Sequence, residues 1–130
     1  MNRATFFAAS LGITSVLFTT SAKAENLIYV STDSSGSDFY YDSETIKKTG
    51  NKITVWLIQD AKNDKTVPHR TYKARTILDC QLETSTRLQY VTYSASGVTL
   101  QSVTIPQHQR SEEGVIPGSI GAALMQSLCP

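Results

Sequence analysis

The sequence predicts an α+β fold: an antiparallel β-sheet of about five to six strands with a C-terminal helix packed on one face, closed by one disulfide. Three observations carry this. From Leu27 to Ile105 apolar residues alternate with polar ones in short segments, the period of a strand with one face on a core. Only Ile120 to Leu128 spaces its apolar residues for a helix. The two cysteines, Cys80 and Cys129, stand at the end of a strand pattern and the end of that helix pattern.

The chain opens with a feature that is not part of the fold. Asn2 and Arg3 precede a charge-free run from Ala4 to Ala22, and Ala22-Lys23-Ala24 is a small-x-small site before the polar segment at Glu25. Residues 1–24 therefore read as a cleavable signal peptide and residues 25–130 as one domain. A bilayer span needs about 20 strongly apolar residues, whereas Ser10, Thr14, Ser15, Thr19, Thr20 and Ser21 dilute this run. No second apolar run of that length follows, so no membrane span is expected after cleavage. Of 12 Lys and Arg, two lie in the signal peptide, leaving 10 against 11 Asp and Glu. That balance argues against a nucleic-acid partner. An even cysteine count in an exported chain argues that Cys80 pairs with Cys129.

Leu27–Ser31 and Asp38–Tyr41 are short strands separated by the turn-rich Thr32 to Gly36. Asp42 to Ile46 suits one helical turn capped by Asp42 or Ser43. Thr49-Gly50-Asn51 turns the chain into the clearest strand, Lys52 to Asp60. Ile53, Val55 and Leu57 share one of its faces and Trp56 and Ile58 the other, as in a central strand covered on both sides. After a polar loop, Tyr72 to Cys80 places Tyr72, Ala74, Thr76, Leu78 and Cys80 on the core face and Lys73, Arg75 and Ile77 on the other. Arg87–Ser94 and Val98–Ile105 form a hairpin. Pro106 to Pro117 is a polar loop in which Glu112 and Glu113 serve solvation. Ser119 then caps a helix whose Ile120, Ala123, Leu124 and Leu128 share the face that the disulfide pins to the sheet.

No catalytic constellation is legible. His69 and His108 sit in loops without an activating partner, no serine lies in a Gly-x-Ser-x-Gly elbow, and no phosphate loop or metal motif is present. The chain is thus not expected to be an enzyme, and no cofactor or metal is expected. Arg70, Tyr72, Lys73 and Arg75 gather into a candidate basic binding surface. The plainer reading, charges guarding a sheet edge against aggregation, weighs more. A strand edge could also pair with a second copy to form a homodimer.

The run YYDSETIKKTGNKITVW, Tyr40 to Trp56, resembles the opening of the surface-adhesin protein E family of Gram-negative bacteria. The resemblance continues through Asp79-Cys80, Tyr90 to Gly97, Pro117-Gly118-Ser119 and Cys129. It implies an antiparallel sheet with a C-terminal helix held by a Cys–Cys bond, and a task in adhesion to host extracellular-matrix or serum proteins. No family ligand residue is carried over to a position of this chain. One departure is that no cysteine follows the apolar leader, which leaves a lipid anchor without its attachment point. The alternative expectation is a soluble periplasmic module that binds an envelope component or partner protein.

Overall fold

Strand after strand forms where alternation lets one row of side chains leave water while the backbone pairs with its neighbours. The computed structural model describes residues 25–130, with only Gly12 and Ser15 before them. Apart from those two, the expected signal peptide lies outside the described residues. β1 (Leu27–Thr32), β2 (Asp38–Asp42), β3 (Lys47–Thr49), β4 (Lys52–Asp60), β5 (Thr71–Asp79), β6 (Thr84–Tyr93), β7 (Thr99–Thr104) and β8 (Glu112–Gly114) are followed by α1 (Ile120–Leu128). The order β1-β2-β4-β5-β6-β7 is antiparallel at every pairing, with β3 added to β4 and β8 to β6.

The sheet thus has eight strands rather than five to six. The two extra ones are three residues each and wholly exposed. Neither buries a side-chain row, so neither leaves an alternation for the sequence to display; backbone pairing with β4 and β6 makes them. Hence Glu112 and Glu113 belong to a strand, not to a solvated loop. The turn expected after Tyr41 is a short 3₁₀ segment, Ser43–Thr45, and buried Asp42 caps it by accepting from the Glu44 N–H at 3.0 Å.

α1 begins where Ser119 Oγ accepts from the Ala122 N–H at 3.2 Å. Nine residues are too few for a stable isolated helix, so α1 persists through what it covers. Leu124, Met125 and Leu128 pack on Ile53, Val55 and Leu78, the last two fully buried. Cys129, at the helix C-cap, bonds Cys80 just beyond β5, with a Cα separation of 5.7 Å. The disulfide and the apolar stripe therefore fix the same end of the helix to the same face of the sheet.

Candidate functional site

Among the described residues no helix lies on the opposite face of the sheet. Register places Tyr29, Tyr40, Ile58, Lys73 and Val91 in one row across β1, β2, β4, β5 and β6. The neighbouring rows hold Trp56 with Arg75, and Asp60 with Thr71 and Tyr93. An open cleft of about 680 Å³ lies at one end of this face, lined by Leu27, Tyr40, Ile58, Arg70, Lys73 and Tyr93 among others.

Two ion pairs border the cleft: Arg70 with Asp60 at 3.3 Å, and Lys73 with Glu25. Lys73 also lies over the Tyr93 ring, 5.8 Å from its centroid. Ile58, opposite Lys73 in register, is buried although no helix among the described residues lies on this face. Exposed pairs of this kind contribute about 0–1 kcal/mol, so their value is positional: they hold two cations beside aromatic rings at a wet surface.

The four residues singled out from the sequence do not form one patch. Arg70 and Lys73 line the cleft together. Arg75 is two residues along β5 from Lys73, on the same open face and opposite Trp56. Tyr72 projects to the helix side, where it stacks on Tyr90 with ring centroids 5.8 Å apart. Tyr93, Tyr40 and Leu27 were not singled out with the basic residues. Their place beside Arg70 and Lys73 depends on strand register, which charge clustering cannot reveal.

The loop that presents Arg70 is held by a buried polar network unmarked by any sequence motif. Ser37, wholly buried, donates to Asp64 Oδ2 at 2.7 Å and accepts from Gln59 Nε2 at 2.9 Å. Asp64 also accepts from the N–H of Thr66 at 2.8 Å, and Gln59 Oε1 meets His69 Nε2 at 3.1 Å. His69 is thus half-buried and partnered rather than a solvated loop residue; His108 is exposed. The turn before β2 approaches this loop so closely that a Cβ on Gly36 would sit 3.1 Å from the Asn63 carbonyl oxygen. Gly36 also has a φ of +93°, so glycine is required twice over.

Hydrogen bonds from Thr66, and then from Ser37, hold the Asp64 carboxyl below its ordinary value of 3.8. A carboxylate lowered in the fold adds stability that is complete above that ordinary value and is lost as pH falls through its folded value. Ser37→Ala is therefore expected to lower stability at neutral pH and to flatten the acid limb of a stability profile. Thermal melts from neutral pH down to about pH 2 check this. Parallel profiles for the two proteins would remove Ser37 from the account of Asp64.

Among the described residues no helix is long and apolar enough to cross a membrane. No curated protein matches the chain in sequence. The fold is similar to solved structures of Haemophilus influenzae protein E. One aligns with a TM-score of 0.58 at 17% identity, covering 83% of this chain and 86% of that one. Another, from non-typeable Haemophilus influenzae, aligns with a TM-score of 0.55 at 15% identity over 88% and 81% of the two chains. At such identities the likeness speaks for the fold. The family is carried by sequence: the model for surface-adhesin protein E matches residues 27–130, from the first residue of β1 through the helix and Cys129 to the C-terminal Pro130. The chain belongs to the surface-adhesin protein E family.

Proposed function

We propose that this adhesin-like domain works by binding rather than catalysis, and that its contact surface is the open sheet face around Arg70, Lys73, Arg75, Tyr40 and Tyr93. The observation that carries this is the cleft on the helix-free face, where two cations, two tyrosines and a buried isoleucine meet. Tyrosine and arginine supply much of the energy at protein interfaces, because one combines large apolar area with a hydroxyl and the other pairs with carboxylates. The partner of this reading is a host extracellular-matrix or serum protein, met at the cell surface after export. A second copy is proposed to pair along β1, whose Leu27, Ile28 and Tyr29 are exposed and whose sequence has no Lys or Pro to guard the edge.

Replacing Arg70, Lys73 and Arg75 together by Ala is expected to weaken binding to immobilised matrix proteins about tenfold or more, and to shorten retention on heparin, with a steep salt dependence in the parent protein. Tyr72→Phe, on the helix side, serves as the control. Unchanged binding in the triple variant would retire this face. Protease accessibility on intact cells tests display at the exterior. Protection until the outer membrane is permeabilised would favour a periplasmic module binding an envelope component instead.

A further inference from the structure

A β-bulge turns one arginine onto the helix side of the sheet. Between β5 and β6 the register shifts: Arg75 opposes Gln89, but Thr76 opposes Arg87, which leaves Leu88 as the extra residue. Strict alternation from Gln89 would put Arg87 on the open face. The bulge instead places it beside Thr76, on the side of Ala74, Leu78 and the helix. Bulges commonly re-aim side chains in this way where a ligand is to be met.

The re-aimed guanidinium lies 5.8 Å from the ring centroids of both Tyr72 and Tyr90. Neither ion pair among the described residues involves it. It lines a cleft of about 310 Å³ between the sheet, the start of α1 and the β8 segment. Leu57, Leu78 and Leu124 make one wall apolar, the last two almost completely buried. Tyr72 belongs to the same lining, and its hydroxyl is buried with no hydrogen-bond partner among the described residues. Such a group loses its hydration without recovering a bond. Burial also raises the Tyr72 pKa, so the phenol stays a donor.

We propose that this cleft binds a small monocarboxylate with an apolar body, its carboxylate against Arg87 and its body along Leu57 and Leu124. A guanidinium and a carboxylate match in shape and charge, and aromatic faces beneath the guanidinium hold it in place. The apolar wall selects against inorganic anions. Glu113, also in the lining, selects against dianions, because a second negative charge would face its carboxylate. The site is on the opposite side of the sheet from the adhesive surface and does not depend on that reading.

The test titrates the folded domain with hexanoate and phenylacetate, and with hexanamide and phenylacetamide as neutral counterparts, by calorimetry and NMR. The acids are expected to bind saturably with Kd on the order of 1 mM, as befits so few atoms, perturbing Leu124 and Leu57, with the amides about tenfold weaker. Arg87→Met, which keeps an apolar stem over the two rings, is expected to remove the preference for acid over amide. Glu113→Gln should tighten acid binding. Arg87→Lys, which keeps the charge but loses the planar fork, should weaken it several-fold and keeps the site testable if Arg87→Met does not fold. Absence of saturable binding, equal affinity for acids and amides, or an unchanged preference in folded Arg87→Met would each overturn the proposal.

Discussion

Replacing both Cys80 and Cys129 by serine is expected to destabilise the domain by about 4 kcal/mol, the loop-closure value for a cross-link spanning 49 residues. At this chain length that corresponds to a fall in Tm of about 15–20 °C. The bond acts chiefly on the unfolded chain, which without it samples far more conformations before α1 can return to β5. It also has a local consequence in the folded state. Cys129 is the C-cap of a nine-residue helix, so cutting the link should let the last turn of α1 fray before the sheet opens. Melts with and without reductant measure the first effect, and hydrogen exchange of residues 124–128 measures the second. Coincident melts would show that the core alone supports the fold.

Leu124→Ala is expected to cost about 2–5 kcal/mol. Leu124 is 1% exposed and joins the helix to Val55 and Leu78, both at 0%. Truncation leaves a cavity that a disulfide-tethered helix cannot collapse to fill, which argues for the upper half of that range. Leu82→Ala, at a residue 63% exposed, is the matched control and should lie within about 0.5 kcal/mol of the parent. Chemical denaturation of both variants decides the matter. A Leu124 effect as small as that of Leu82 would mean that the helix rests on the sheet without being part of its core. Since the tether is also what keeps the helix from closing over the cavity, Leu124→Ala should cost less in the disulfide-free background, and the combined loss should fall short of the sum.

Charge clustering pointed to Arg70, Lys73 and Arg75, and the structure puts all three on the open side of the sheet. The tyrosines beside them arrive from β2 and the end of β6, distant in sequence, so no local pattern joins them to the cluster. The Ser37–Asp64–Gln59–His69 network is hidden for the same reason. Each of its residues is an ordinary loop or strand polar group until two turns are brought together.

By itself the sequence determined the elements whose burial is periodic. The rows of β4 and β5, the Ser119 cap, the stripe on α1 and the pairing of Cys80 with Cys129 are local or compositional facts, and a side chain that must leave water leaves its period in the chain. Only the tertiary structure decided β3 and β8, which exist because a neighbour offers unpaired backbone groups. It alone decided the side on which Arg87 stands. Alternation counts residues along one strand, whereas a bulge is a mismatch between two, and that mismatch exists only once β5 and β6 lie side by side.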